Sequence, residues 1–130
     1  MTVKLERILL VDDEADIRTV AAMALESLGG FAVETCASGP EAVARASSSA
    51  PQLVLLDVMM PGMDGPATLS AMRERCGETV PPVAFMTAKV EPEEVARLEE
   101  LGAIGVIAKP FDPMTLAEAV QAVWRAHHGV

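Results

Sequence analysis

Three short runs of consecutive apolar residues constrain the fold of this chain more than any other feature. They lie at Ile8–Val11, Leu53–Leu56 and Val106–Ala108, and each is followed at once by a charged residue. A continuous apolar run of this length predicts a strand that is buried on both faces of a parallel sheet. Because parallel strands need long crossover connections, the rest of the chain should supply helices.

Segments with helical periodicity separate these runs from one another and from two further predicted strands, Phe31–Cys36 and Val83–Met86. We predict helices over Asp16–Leu28, Ser38–Ser47, Pro66–Arg75, Glu91–Leu101 and from Asp112 onward, where Asp112 is the expected N-cap and Pro113 the first helical residue. The inward stripe of the first helix is predicted to contain Ile17, Val20, Ala21, Ala24, Leu25 and Leu28. Five alternations of strand and helix predict an α/β fold, a flavodoxin-like doubly wound parallel sheet of order 2-1-3-4-5 with five helices.

Length and charge narrow the class of protein. A chain of 130 residues is expected to form one domain, residues 1–130. Its net charge of −9 argues against direct binding of nucleic acid, which needs clustered basic residues. No apolar run is long enough to span a membrane, and the residues before the first strand contain no secretory signal, so we expect a cytoplasmic protein without direct membrane contact.

Polar residues follow four of the predicted strands, at the end where ligands bind in such sheets. They are the pair Asp12 and Asp13 after the first strand, Asp57 after the third, Thr87 after the fourth and Lys109 after the fifth. Three carboxylates gathered there would repel one another by roughly 4 kcal/mol per close pair at an effective dielectric constant near 20. We therefore expect a divalent cation among them, and an oxygen-only cluster that leaves room for a phosphate suits Mg²⁺.

The combination of these motifs resembles the receiver domain of two-component response regulators, in the single-domain form of chemotaxis regulators. The resemblance covers the whole chain and is carried by Asp12-Asp13, by Asp57 with the following turn Met60–Gly65, by Thr87-Ala88 and by Lys109-Pro110-Phe111. It implies a phosphorelay switch, a signalling module whose only reactions are its own phosphotransfer and autodephosphorylation. The implied phosphoryl acceptor is Asp57, and the implied donor is a histidine kinase or a histidine phosphotransfer protein.

The resemblance also implies the roles of the other site residues. Asp12 and Asp13 would bind Mg²⁺ together with Asp57 and the backbone carbonyl of Met59. Thr87, Ala88 and Lys109 would bind the phosphoryl oxygens, and the bond between Lys109 and Pro110 would be cis. Phosphorylation would then change the surface of helix 4, strand 5 and helix 5, about Glu91 to Ala126, for an output partner or a second copy of the chain. The acidic residues there favour a basic partner.

Three positions depart from the family pattern or bear on the lifetime of the phosphate. Val106 stands where receivers commonly carry Tyr or Phe, and a valine side chain has too little reach to alternate between exposed and buried rotamers. We therefore expect the signal to pass through the backbone from Thr87 to Val90. Lys89 and Met59 are predicted to tune access of the hydrolytic water to the acyl phosphate.

Two alternatives belong to other functional classes. The first is a receiver-like scaffold that is never phosphorylated, although such a protein normally lacks one of the reactive residues. The second is a metal-dependent aspartyl-phosphate phosphatase, although those enzymes place two aspartates one residue apart after the first strand, whereas Asp12 and Asp13 are adjacent. Whether the chain stands alone or is part of a longer regulator stays open.

Overall fold

Five parallel strands in the order β2-β1-β3-β4-β5 form the centre of the computed structural model, which describes residues 3–128. This order confirms the predicted flavodoxin-like topology. No helix within that range is long and apolar enough to cross a membrane. A 3-10 turn, Gly77–Thr79, precedes β4, and the strands and helices have these bounds: β1 Arg7–Val11, α1 Ala15–Ser27, β2 Ala32–Cys36, α2 Gly39–Ser48, β3 Leu53–Asp57, α3 Gly65–Cys76, β4 Val83–Thr87, α4 Pro92–Glu100, β5 Gly105–Ala108, α5 Leu116–His127.

The central strands are apolar on both faces because helices cover both sides of the sheet. Successive side chains of a strand point to opposite faces, so Leu10 and Leu55 pack with residues of α1 and α5. Leu9 and Leu56 pack on the other side, with residues of α2, α3 and α4. This arrangement explains why the sequence of β1 and β3 shows no alternation of apolar and polar residues.

The start of α3 lies unusually close to the end of β3. Asp64 caps this helix by accepting a hydrogen bond from the backbone N–H of Ala67 at 2.9 Å. A Cβ atom at Gly65 would lie only 2.6 Å from the backbone oxygen of Asp57, so this approach requires a glycine. The loop between β3 and α3 is thereby held against the carboxyl end of the sheet.

The predicted start of the last helix was wrong. Asp112 accepts a hydrogen bond from the N–H of Met114 at 2.9 Å, and its carbonyl accepts one from the N–H of Thr115 at 3.0 Å. These bonds close a separate turn. The helix α5 begins at Leu116, three residues after the predicted first helical residue, Pro113. An aspartate that caps a turn and one that caps a helix make the same side-chain bond, so the sequence did not separate the two.

Two residues of the predicted inward stripe of α1 are exposed. Val20 is 43% exposed and Leu28, which follows the last helical residue, is 54% exposed. The buried residues of α1 are Ala21, Ala24 and Leu25. The contact between α1 and the sheet is therefore narrower than the apolar stripe in the sequence.

Candidate functional site

The strand order brings four polar residues together at the carboxyl end of the sheet, where the five strands finish. Asp57 is the last residue of β3 and Thr87 is the last residue of β4. Asp12 directly follows β1, and Lys109 directly follows β5. The backbone N–H of Lys109 donates to the carbonyl of Thr87 at 2.9 Å, which joins the last two strand ends.

Three carboxylates lie close enough together to hold a metal ion. One oxygen from each of Asp12, Asp13 and Asp57 lies within 4.8 Å of the other two. Asp12 is fully buried and Asp57 is 3% exposed, whereas Asp13 is exposed to solvent. The cluster therefore has a buried floor and one carboxylate that is open to solvent.

Lys109 is the only cation in salt-bridge contact with this cluster among residues 3–128. Its Nζ lies 2.8 Å from Oδ2 of Asp12 and 3.4 Å from Oδ2 of Asp57. Burial and, second, the negative charge of Asp12 raise the pKa of Asp57 to about 6, although Lys109 and the N–H of Met59 act in the opposite direction. The cluster thus has more negative than positive charge.

Asp12 is held by hydrogen bonds at every polar atom. Its backbone N–H donates to the carbonyl of Cys36 at 3.1 Å, and its carbonyl accepts from the guanidinium of Arg18 at 2.7 Å. Its Oδ1 accepts from the backbone N–H of Glu14 at 2.9 Å, and its Oδ2 accepts from Lys109. The carboxylate of Asp12 is consequently fixed before any ligand arrives.

Thr87 connects the site to the loop after β4. Its buried hydroxyl oxygen accepts a hydrogen bond from the backbone N–H of Lys89 at 3.0 Å. The side chain of Lys89 is exposed, and its charge helps Arg97, the larger influence, to lower the pKa of Glu94 in α4. Lys89 therefore contacts the site through its backbone, and its exposed ammonium acts on Glu94 through its charge alone.

A cavity of about 190 Å³ opens above the acidic floor. Five residues that the sequence singled out line it, Asp57, Met59, Thr87, Ala88 and Lys109, together with Glu14. The side chains of Met59 and Ala88 are exposed. The bond between Lys109 and Pro110 is cis, as expected. Val106 lies away from the cavity, half-buried against the apolar cluster that contains Phe85 and Leu98.

Sequence reasoning missed two residues of the site. Glu14 lines the cavity, and its Oε1 lies 3.9 Å from Nζ of Lys109. The guanidinium of Arg18, in the first turn of α1, donates a hydrogen bond to the carbonyl of Asp12. The position of Glu14 directly after the acidic pair was a usable signal, whereas the bond from Arg18 depends on the angle at which α1 leaves the sheet.

Comparison with known proteins gives a consistent result. Residues 8–121 match the model of the response regulator receiver domain. The chain is 36% identical over 120 residues to the alkaline phosphatase synthesis transcriptional regulatory protein PhoP of Bacillus subtilis, covering 92% of this chain and 49% of that protein. It is 37% identical over 119 residues to the transcriptional regulatory protein ResD of the same organism, covering 92% of this chain and 48% of that protein. The chain thus spans about half the length of these curated relatives.

Solved structures agree with the sequence relatives. The chemotaxis protein CheY4 of Vibrio cholerae superimposes with a TM-score of 0.81 at 33% identity, covering 92% of this chain and 99% of that one. The BeF3-activated receiver domain of DrrB superimposes with a TM-score of 0.74 at 28% identity, covering 92% of this chain and 97% of that one. From the family match, the fold and the acidic cluster at the carboxyl end of the sheet, we conclude that this chain belongs to the receiver domain family of response regulators.

Proposed function

We propose that Asp57 accepts a phosphoryl group and that the resulting acyl phosphate switches the surface of the domain. The observation that carries this proposal is the buried carboxylate of Asp57 between Asp12 and Lys109, at the floor of a cavity of about 190 Å³. A carboxylate kept there as a structural group would be expected to have its charge balanced. Here the negative charge exceeds the positive charge, which favours a role in binding and reaction.

In the proposed transfer, a carboxylate oxygen of Asp57 attacks the phosphorus of a phosphohistidine in a histidine kinase or phosphotransfer protein. The new oxygen–phosphorus bond forms as the nitrogen–phosphorus bond breaks, and the imidazole nitrogen keeps the electron pair and takes up a proton. The ammonium of Lys109 can pair with the phosphoryl oxygens, and the hydroxyl of Thr87 can donate a hydrogen bond to them. In autodephosphorylation, the oxygen of water bonds to phosphorus as the bond from phosphorus to Asp57 breaks. Asp57 leaves as a carboxylate, and the protons of the water stay on the released phosphate or pass to solvent.

The three carboxylates suit a magnesium ion, because this ion prefers hard oxygen donors and one oxygen of each carboxylate lies within 4.8 Å of the other two. In the proposed site Asp13 and Asp57 supply ligands, with Asp12 and the backbone carbonyl of Met59 completing the protein's share. When bound, Mg²⁺ would neutralise negative charge as the anionic donor approaches Asp57. Asp13 is the most accessible carboxylate of the three, so it is the first contact for an incoming ion.

The proposed switch passes through the backbone after β4. The hydroxyl of Thr87 accepts from the N–H of Lys89, so a hydroxyl drawn toward a phosphoryl oxygen would release or pull the loop from Thr87 to Val90. Val106 packs against its apolar cluster with a side chain too short to follow that movement. An NMR comparison of free and beryllofluoride-bound protein should show large shifts in this loop. A coupled rotamer change of Val106 would contradict the proposed route.

Access of water to the acyl phosphate is a separate part of the proposal. Met59 lines the cavity with an apolar side chain, and Lys89, whose backbone N–H is bonded to the hydroxyl of Thr87, has an exposed and flexible side chain. We expect Lys89→Ala to change the lifetime of the phosphate on Asp57, measured by intact mass after removal of the donor. An unchanged rate of dephosphorylation would exclude Lys89 from this role.

Output is proposed to occur at the surface of α4, β5 and α5. Its exposed acidic residues favour an output partner with basic residues, and a second copy of the chain is the other candidate. The acidic residues on and next to α4 are Glu91, Glu93, Glu94, Glu99 and Glu100, with Arg97 paired to Glu94. Charge repulsion between two such surfaces makes the basic partner the better candidate.

The function can be tested by incubating the protein with acetyl phosphate and Mg²⁺ and measuring its intact mass. We expect an added phosphoryl group in the wild type, loss of the adduct without Mg²⁺, and no adduct in Asp57→Asn. An adduct that persists in Asp57→Asn and disappears in Asp12→Asn would support the phosphatase alternative. No adduct with any small phosphodonor or phosphohistidine donor would support the scaffold alternative.

A further inference from the structure

Glu14 is a third carboxylate around the ammonium of Lys109. Nζ of Lys109 lies 2.8 Å from Asp12, 3.4 Å from Asp57 and 3.9 Å from Oε1 of Glu14. Asp12 and Asp57 belong to the acidic cluster that can hold a metal, whereas Glu14 does not. Lys109 therefore lies between two candidate metal ligands and one carboxylate outside the metal cluster.

Lys109 and a divalent cation would compete for the same oxygens. The ammonium contacts one carboxylate oxygen of Asp12 and one of Asp57, and a cation at the acidic cluster would need at least part of that space. Like charges at such distances repel strongly in a buried environment. Lys109 must therefore weaken its contact with these aspartates when the metal enters. Among residues 3–128, Glu14 is the only further carboxylate within salt-bridge distance of its ammonium.

We propose that Glu14 pairs with the ammonium of Lys109 when a divalent cation occupies the acidic cluster, and so promotes metal binding without being a metal ligand. This inference rests on the proposed function, because it assumes that the cluster binds Mg²⁺. It makes Glu14 a positioning residue that acts through Lys109. It also keeps Lys109 at the cavity, where a phosphoryl group would next need it.

The surroundings of Glu14 allow this role. Its backbone N–H is fixed by Oδ1 of Asp12 at 2.9 Å, so its Cα stays next to the cluster. Its side chain is 64% exposed and, although Glu14 is the N-cap residue of α1, it makes no capping hydrogen bond. The carboxylate can therefore follow Lys109 without loss of a helix cap. The long stem of Lys109 gives its ammonium the same freedom.

A double-mutant cycle tests the inference. The dissociation constant for Mg²⁺ is measured by NMR titration of the backbone amides near the cluster, for wild type, Glu14→Gln, Lys109→Met and the double variant. If Glu14 acted only through its long-range charge, Glu14→Gln would weaken binding by the same factor in both backgrounds. We expect Glu14→Gln to raise the dissociation constant for Mg²⁺ by a factor that is about two- to fivefold larger when Lys109 is present than in Lys109→Met. This difference is the range expected for a partly exposed ion pair.

Asp16→Asn is the matched control. Asp16 is an exposed acidic residue in the first turn of α1, so its replacement removes the same charge on the same helix without touching Lys109. Its effect on Mg²⁺ binding should be the same with and without Lys109. A variant whose fold is disturbed is recognised by its amide spectrum before the titration.

A second measurement does not depend on replacing Lys109. In the wild type, addition of Mg²⁺ should shift the Cε resonance of Lys109 and bring its Hε protons close to the side chain of Glu14. In Glu14→Gln that contact should be lost. The inference would be overturned if Glu14→Gln weakened Mg²⁺ binding by the same factor with and without Lys109. It would also be overturned if the Cε resonance of Lys109 did not shift on addition of Mg²⁺ to a protein that binds the metal. Failure of the wild type to bind Mg²⁺ would overturn the proposed metal site as well.

Discussion

The polar groups at the two ends of the sheet differ in charge and in how fully they are paired. At the amino end, where the strands begin, the side-chain amide of Gln52 accepts from the N–H groups of Glu6 and Arg7 at 2.6 and 2.9 Å and donates to the carbonyl of Lys4 at 2.9 Å. The indole N–H of Trp124 donates to the carbonyl of Val3 at 2.8 Å. These groups are neutral and mutually satisfied, and they fasten the N-terminal segment to the sheet.

At the carboxyl end the groups are charged, and the charges do not balance. Three carboxylates face one ammonium, and Asp57 has a pKa raised to about 6 by burial and by Asp12. The polar groups at the amino end of the strands therefore stabilise the fold, whereas the excess negative charge at the carboxyl end favours the binding of a ligand. Substitutions at the amino end should destabilise the fold, whereas neutralising the carboxyl end should stabilise it while removing function.

The largest effect is expected at the amino end, for Trp124→Ala. The side chain of Trp124 is buried in the cluster between α1, α5 and the sheet, so its truncation should lower the free energy of unfolding by about 3–5 kcal/mol. Trp124→Phe keeps most of the apolar volume and should cost less. Urea denaturation measures both values. A loss below about 1 kcal/mol for the alanine variant would contradict the role given to this end.

The opposite sign is expected for Asp57→Asn without metal. Because the pKa of Asp57 rises from 3.8 to about 6 on folding, the folded protein binds more protons between these values, and stability falls as the pH rises through that range. Above about pH 6 Asp57 is ionised in the folded protein, and its buried charge lowers the free energy of unfolding by the full amount. Asp57→Asn should therefore be more stable than wild type by up to about 3 kcal/mol.

Urea denaturation of both proteins at pH 4 and pH 8, in the presence of a chelator, checks this prediction. The difference between them should be small at pH 4 and largest at pH 8. A wild type that gains stability relative to Asp57→Asn as the pH rises would show that the charge of Asp57 is balanced within the protein.

A smaller loss is expected for Gln52→Ala. It removes three hydrogen bonds that are partly open to solvent, and the freed backbone groups can bind water, so we expect a loss of about 1–2 kcal/mol. Phosphate acceptance by the folded protein should be unchanged. A matched loss of Mg²⁺ affinity in this variant would show that the two ends are coupled.

The smallest effect is the stabilisation by Mg²⁺ itself. At a free concentration ten times the dissociation constant, binding to the folded state alone stabilises by about 1.4 kcal/mol. The increase in the midpoint of thermal unfolding should be lost in Asp13→Asn, whose fold should be otherwise intact because Asp13 is exposed. An equal increase in wild type and Asp13→Asn would place the ion elsewhere.

The sequence predicted the fold and most of the site because both follow from local patterns. Continuous apolar runs identified the buried strands, and the strand order placed Asp12, Asp57, Thr87 and Lys109 at one end of the sheet. The start of α5 was missed because a turn at Asp112 uses the same bond as a helix cap. Val20 was misplaced because periodicity does not tell how wide a contact a helix makes with the sheet.

What the sequence did not reveal depends on distances between separate loops. The closer contact of Lys109 with Asp12 than with Asp57, and the nearby carboxylate of Glu14, follow from how the loops after β1 and β5 meet. Spacing along the chain carries no information on these contacts.

Localising the phosphoryl group tests the central claim most directly. The protein is treated with acetyl phosphate and Mg²⁺, the acyl phosphate is reduced with borohydride, and the peptides are sequenced by mass spectrometry. The reduction converts a phosphorylated aspartate to homoserine, and we predict this conversion at position 57, with none at Asp12 or Asp13. Homoserine at position 12 or 13, or unmodified Asp57 in a protein that binds Mg²⁺ at the acidic cluster, would contradict the account.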